Sequence, residues 1–356
     1  MSMDRKQKRT LKRAAFHTVF YILLTGLVIG ILTPVYFIVT LSFLSTREAY
    51  KYPLPMTPAL SMKFELQEGK RGYLISVWDR VDEEYQSVMD TTDLTKMRVY
   101  FDAQLGVKIT EEELQAQIDK FESTGEPVYF TERRNLISNY ETFFSVTRDA
   151  VPALIRSLEI ALITIVISLT IGGMAGYAFA RYLFKGRDAL KFSVLFVRMF
   201  PGVAIAIPMV IILANMGLYD QPMGLALIYS VGAIGLTVWI TASIFLGIPI
   251  SLEEAALVFG ATKFQTFIRI TLPLAFPGLA AAAMYTFLGA WNETVAAIIL
   301  TQFHPTFAVV VYQTLLGATG QVNLAAAGGI AMAIPAVFFT FFLRRYINQM
   351  WGGMSV

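Results

Sequence analysis

The 356-residue chain has no cysteine and only two histidines, His17 and His304. Disulfide frameworks, thiolate nucleophiles and all-histidine metal sites are thereby excluded, and most nucleophilic and zinc enzymology goes with them. Charge is scarce as well: 15% of residues are Asp, Glu, Lys or Arg, against roughly 25% in a soluble domain. No stretch reads GxxxxGKS or GxxxxGKT, so the chain has no such loop with which to cradle ATP phosphates. A net charge of +3, with its basic residues spread over membrane flanks, gives nucleic-acid binding no support. What remains is apolar bulk. At 55% hydrophobic residues the composition is that of an integral membrane protein.

Apolar runs long enough to cross about 30 Å of hydrocarbon occur at 16–41, 152–180, 189–214, 222–246, 275–301 and 324–345, which predicts six helices. The opening MSMDRKQKRTLKRAAFHTVFYILL has the basic flank of a signal peptide. Its apolar run is too long for one, and it reads as an uncleaved first span. Lysine and arginine then set the orientation. They crowd the N-terminus (Arg5, Lys6, Lys8, Arg9, Lys12, Arg13), the loop after the second span (Arg181, Lys185, Arg187, Lys191), the loop after the fourth (Lys263, Arg269) and the C-terminus (Arg344, Arg345). The loops at 215–221 and 302–323 hold none, so both termini are expected in the cytoplasm.

Residues 45–150 read as a different kind of protein, with 19 of the 26 acidic residues and 13 basic ones. KFELQ, GYLISVW, MRVYF and PVYF have the composition of short strands. TEEELQAQIDKFE opens with Thr110 and Glu113 in capping-box spacing and reads as a helix. A small α+β domain outside the membrane is the expected product, and without disulfides it should lean on the spans or on a partner. Pro53, Pro55 and Pro58 mark the linker into it. NYETFFSVTRDAVPAL follows as an amphipathic interfacial segment.

The stretch SLEEAALVFGATKFQTFIRITLPL, residues 251–274, is polar and finished at both ends. Ser251 with Glu254, and Thr262 with Gln265, both fit the capping box. Gly260 suits a left-handed C-terminal cap, and Pro273 is placed to end the second helix. Leu252, Ala255, Ala256 and Phe259 share one side of the first helix; Phe259, Phe264 and Phe267 are large enough to anchor a partner.

The order Glu254-Ala255-Ala256, three residues, Gly260, nine residues, Ile270, one residue, Leu272-Pro273 resembles the EAA loop of membrane subunits of binding-protein-dependent ABC importers. GYAFARYLFKGRDALKF, MFPGVAIAIPM and WNETVAAIIL resemble carbohydrate-uptake permeases, and the MalG-like branch of maltose-type importers is the closest pattern. Two departures stand out: Phe259 replaces the Asp usual before the glycine in the sugar branch, and the domain at 60–130 replaces a short loop. The resemblance implies an all-α polytopic protein with six transmembrane helices of the ABC importer permease fold. A small α+β extracytoplasmic insertion would lie between helices 1 and 2.

It implies a non-catalytic permease subunit of a maltose, maltodextrin or related α-glucoside importer in the cytoplasmic (inner) membrane, carrying no cofactor, with ATP and Mg on a partner. The implied partners are a MalF-like second permease, a homodimeric ABC ATPase and an extracytoplasmic solute-binding protein. Coupling to the ATPase falls by resemblance on Glu254, Ala255, Ala256, Gly260, Phe264, Leu272 and Pro273. The tail NQMWGGMSV would reach into the ATPase dimer.

Four segments follow: 1–44 (N-terminus and first span), 45–150 (insertion and interfacial segment), 151–346 (spans two to six with the loop at 250–273) and 347–356 (tail). For the substrate path, costly polar residues in spans nominate Arg198, Asn215, Asn292, Glu293 and Gln302. Rings able to stack on a sugar nominate Tyr229, Trp239, Tyr285 and Trp291. Gly172 and Gly176 form a GxxxG pair for close helix packing. Alternatives are an importer of a polyol, glycerol phosphate or another sugar, or a ligand-sensing receptor; a receptor needs a cytoplasmic output domain, for which no inside segment is long enough. A secondary transporter would show internal repeats and intramembrane ionisable pairs.

Overall fold

The computed structural model describes residues 5–147, 149–197, 199, 202–317 and 320–352. The chain divides into two compact units, Met1–Phe143 with Thr319–Ile330, and Phe144–Ala318 with Ala331–Val356.

The first unit opens with helix α1 (Arg5–Phe43), whose apolar window is fully unburied, as a lipid-facing span should be. After α2 (Thr46–Ala49) come β1 (Ser61–Glu68), β2 (Tyr73–Asp79) and β3 (Glu84–Thr91). Next are α3 (Leu94–Tyr100), which runs into a π-helical turn over Phe101–Leu105, α4 (Glu111–Thr124), β4 (Val128–Arg133) and α5 (Ser138–Val146). The strands form one antiparallel sheet in the order β3-β2-β1-β4. Alternation on β1 turns Met62, Phe64 and Leu66 inward. There Phe64 stacks between Phe101 at 4.5 Å and Phe130 at 5.1 Å, with Met97, Leu105, Leu114 and Ile118 around them. The capping box at Thr110 forms as expected.

One expectation for this unit fails. MRVYF is helical, because Met97, Phe101 and Leu105 recur every fourth residue and are all fully buried. The third strand is instead EYQSVMDT, too polar to stand out. Helix α5, which follows the sheet, is tied to helix ends within this unit. Asn139 Nδ2 donates to the carbonyls of Ser42 (2.9 Å) and Leu44 (2.7 Å), and its Oδ1 accepts from Asn323 Nδ2 at 3.0 Å.

The second unit is helical: α6 (Ala150–Arg181), α7 (Arg187–Val197), α8 (Gly202–Asn215), α9 (Pro222–Leu246), α10 (Ile250–Val258), α11 (Lys263–Thr266), a π-helical turn at Phe267–Thr271, α12 (Leu272–Trp291), α13 (Val295–Leu300) and α14 (Phe307–Leu316). Helix α15 (Val322–Gly352) begins in the first unit and enters the second at Ala331. Helices α6 and α9 pack along their lengths, and the glycine pair explains how. A Cβ on Gly172 would sit 2.9 Å from Thr237 Cγ2, and one on Gly176 would overlap the Thr241 hydroxyl. That hydroxyl reaches the Gly172 carbonyl at 3.1 Å, an interhelical bond made possible by the close backbone approach.

Among the described residues, five helices are long and apolar enough to cross a membrane: Phe16–Phe43, Ala150–Arg181, Pro222–Leu246, Lys263–Trp291 and Val322–Tyr346. The sixth expected span, 189–214, comes as the separate helices α7 and α8; the second restarts just past Pro201, which together with Arg198 lies outside the described residues. The fifth run also differs from 275–301. It starts at Lys263 and stops at Trp291, where Asn292 caps it before the short α13.

Candidate functional site

Helix α10 starts two residues earlier than the Ser251–Glu254 box requires. Pro249, at φ −58°, occupies the N-cap and no side chain caps the helix, so Ser251 already lies inside the first turn and that box does not form. The other end is as expected. Gly260 takes φ +86°, and the Gly260 and Ala261 N–H groups bond the carbonyls of Leu257 and Ala256, both at 3.0 Å. This is the paired closure that a left-handed glycine makes possible. Thr262 and Gln265 then complete a reciprocal capping box, at 3.2 and 2.9 Å.

Pro273 does not end the second helix. Lacking an N–H and crowding the carbonyl four residues back, it sits in the first turn of α12 behind the π-helical turn. There the Leu272 N–H reaches five residues back to Phe267. The wider turn absorbs the proline, and the helix continues into the membrane.

The residue that seats this knob is one the sequence reading passed over. Glu253 is 7% exposed and accepts from Arg181 Nε at 2.8 Å and from the Tyr177 hydroxyl at 2.9 Å, while Arg181 Nη2 also donates to the Ile248 carbonyl at 3.0 Å. Burial pushes the Glu253 carboxyl up, but the bonds from Arg181 and Tyr177 outweigh it and hold it below the usual carboxylate range. Tyr177 and Arg181, four apart on the last turns of α6, present one face to the knob. Beneath them Tyr177, Phe245 and Phe267 form an aromatic base, with Tyr177 to Phe267 at 4.7 Å and to Phe245 at 5.3 Å. Phe267 is thus an internal contact rather than the outward anchor expected.

The outer surface carries the other nominated residues. Glu254, Ala255, Gly260 and Pro273 are exposed, and Ala256 and Leu272 half-buried. Phe259 is 90% exposed, Val258 84% and Phe264 73%, a cluster of large apolar groups beside polar ones. Surface of this kind marks an interaction site.

The path candidates separate. Tyr229, Tyr285 and Glu293 line one cavity of about 500 Å³ among α6, α8, α9, α12 and α13. Trp239 does not: its Nε1 donates to the Lys191 carbonyl at 3.1 Å and the Lys191 ammonium lies over its ring. Trp291 is buried, stacked on Phe287 and bonded to the Met332 carbonyl at 3.0 Å. Asn292 and Asn215 are exposed at helix ends. Gln302 is held by its backbone, as follows.

Asp220, at φ +60°, accepts from the backbone N–H groups of Gln302, Phe303 and His304 (3.0, 3.2 and 3.2 Å) and pairs with His304 Nδ1 at 2.8 Å. It clasps the loop before α9 to the loop before α14. Burial raises its carboxyl, and the bond to His304 and the three N–H groups bring it net below the ordinary range. A depressed carboxyl stabilises the fold above the usual Asp range and ceases to as pH falls through its folded value. Asp220→Asn should therefore lessen the loss of thermal stability on acidification below about pH 4. Asp220→Ala, which orphans three N–H groups, should cost about 1–3 kcal/mol at neutral pH. Unfolding midpoints of the purified variants across pH check both.

Comparison with known proteins accords with this architecture. The chain is 38% identical over 202 residues to the trehalose transport system permease protein SugB of Mycobacterium tuberculosis, covering 55% of this chain and 73% of that one. It is 29% identical over 220 residues, 61% of this chain and 79% of the other, to the trehalose/maltose transport system permease protein MalG of Thermococcus litoralis. A chain of a bacterial ABC transporter involved in the import of the acidic polysaccharide alginate shares the fold, with a TM-score of 0.57 at 16% identity over 97% of this chain and 98% of that one. The family model for the binding-protein-dependent transport system inner membrane component matches residues 168–351, more than half the chain and all of the knob, and the protein belongs to that family.

Proposed function

We propose that the protein is the permease subunit of an ATP-driven carbohydrate importer, forming half of the translocation path. The single observation that carries the reading is the knob: a helical pair closed at Gly260 and capped at Thr262, anchored from within by Arg181–Glu253, with Phe259, Val258 and Phe264 exposed on its outside. Exposed apolar anchors on a rigid, internally seated element fit a partner that must push on it. The chain has no phosphate-binding loop of its own, so that partner is an ATPase holding ATP and Mg, met through Glu254, Ala255, Ala256, Gly260, Phe264, Leu272 and Pro273. Names of relatives, which specify trehalose, maltose and maltodextrin transport, favour an α-glucoside as cargo. A second, MalF-like permease would complete the path, an external binding protein would deliver the sugar, and both termini would face the cytoplasm of an inner membrane.

The test is affinity purification of the tagged chain from its native membrane in mild detergent, followed by mass spectrometry. The expected result is a P-loop ATPase and a second polytopic permease in the same complex. A chain that comes out alone, or only with itself, refutes the assembly. The tail after Gly352, expected at the ATPase dimer, lies outside the described residues.

A further inference from the structure

We propose that the cavity lined by Tyr229 and Glu293 is a subsite belonging to this chain itself, built for a neutral, polyhydroxylated cargo. The inference rests on the importer reading and adds to it a position and a charge class. At about 500 Å³ the cavity is within the range of small-molecule sites. Its room comes from two glycines, Gly232 on α9 and Gly289 on α12. A Cβ on either would meet nothing within 4 Å, and neither takes a left-handed backbone. Glycine inside a helix costs about 0.5–1 kcal/mol relative to alanine, and at these two positions neither packing nor backbone geometry asks for it. What both supply is open space facing the cavity.

The rim supplies the complementary chemistry. Glu293 is held in place because one carboxylate oxygen accepts the Ala296 N–H at 2.9 Å, and the Tyr229 hydroxyl stands 3.4 Å from the Glu293 carbonyl. Thr286, 1% exposed, has a hydroxyl with no hydrogen-bond partner among the described residues, whereas its neighbour in the wall, Thr164, bonds the Ile160 carbonyl at 2.8 Å. A buried hydroxyl without a partner is costly, and a cargo hydroxyl would satisfy it. The described lining contains one carboxylate and no lysine or arginine. An anionic cargo would meet like charge at Glu293. Sugar hydroxyls can donate to the Glu293 carboxylate and to the Tyr229 oxygen, while the C–H faces of the ring meet the aliphatic wall at Met209 and Ile228.

The test uses the complete co-purified assembly in liposomes, with its binding protein outside and ATP inside. Uptake of radiolabelled trehalose and maltose is compared with that of glycerol 3-phosphate as the anionic probe. Neutral sugar should enter and the phosphate should not. Gly289→Leu and Gly232→Leu should lower sugar uptake about tenfold or more, with the assembly intact by size-exclusion chromatography. Gly26→Leu, on exposed α1 with equally open surroundings, should be unaffected. Glu293→Gln keeps an oxygen for the Ala296 N–H, so it tests the charge without emptying that bond; it should raise KM for sugar about tenfold. Unchanged sugar kinetics in Gly289→Leu and Glu293→Gln would overturn the subsite and leave the importer standing. Uptake of glycerol 3-phosphate would overturn the charge class. An assembly that lacks an ATPase removes the importer and the subsite together.

Discussion

Arg181→Ala should unseat the knob and cost about 3–5 kcal/mol, because it leaves the Glu253 carboxylate buried without its counter-ion. Both partners of this pair are under a tenth exposed, so water cannot take over from the guanidinium. The double variant Arg181→Met, Glu253→Met separates the pair's net value from the penalty of orphaning one member. An apolar replacement of a buried pair is often neutral, and most of the lost stability should return. pH distinguishes the cases further. In the native protein the depressed Glu253 carboxyl stabilises the fold above the usual Glu range and stops doing so as pH falls through its folded value. In Arg181→Ala the sign reverses: the orphaned carboxyl is pushed up by burial, so mild acid should raise the variant's melting temperature. Thermal unfolding of both variants between pH 4 and pH 8, about the range a shifted carboxyl can cover, reads all three effects. Equal midpoints for native, single and double variants would show that the pair does not hold the knob.

That pair also shows where the sequence stopped being informative. Thr262–Gln265 and Thr110–Glu113 were legible because a capping box is closed by residues three apart, and Gly260 because a left-handed turn selects its own residue. Ser251–Glu254 has the same spacing, yet the box is absent because Pro249, two residues before it, takes the cap. Glu253 and Glu254 are adjacent glutamates in a polar loop, and nothing local separates them. What does so is Arg181, 72 residues earlier; Tyr177 and Arg181 at i and i+4 were the only hint that the end of α6 had a polar face to satisfy. MRVYF misled because β-branched and aromatic content speaks for a strand, while burial followed the four-residue recurrence of Met97, Phe101 and Leu105. In the cavity, Tyr229 and Glu293 were within reach of a polarity argument, but Gly232 and Gly289 were not. A glycine that makes room looks like any other until the space beside it is seen.

Gly260→Asp and Glu254→Lys should both abolish uptake while the chain still inserts and folds. The surroundings of Gly260 are open, so a side chain there meets nothing; the cost is that of a left-handed non-glycine residue, about 1–2 kcal/mol, too little to unfold a membrane domain. Gly260→Asn, whose side chain tolerates that conformation better, should retain more activity than Gly260→Asp. Glu254 is exposed with no ion pair among the described residues, and its reversal should change stability by no more than about 0.5 kcal/mol. Loss of transport without loss of fold is the signature of a surface read by a partner. Transport at the native rate by both variants, at equal membrane abundance, would remove the knob from the coupling mechanism.

From Lys263 to Trp291 the backbone is one helical run, about 43 Å at 1.5 Å per residue. Phe264 stands one residue from its start, and Gly289 faces the cavity two residues from its end. Because the π-helical turn accommodates Pro273 without breaking the run, there is no loop along this load path in which a displacement could dissipate. On the proposed coupling through Phe264, a tilt imposed there would reappear as motion of the cavity wall. The regular ladder of the run is interrupted at Pro277 inside α12 and at the overwide turn Phe267–Thr271. Stiffening that single turn, and nothing else in the rod, would alter the timing of the response while leaving both of its ends chemically untouched.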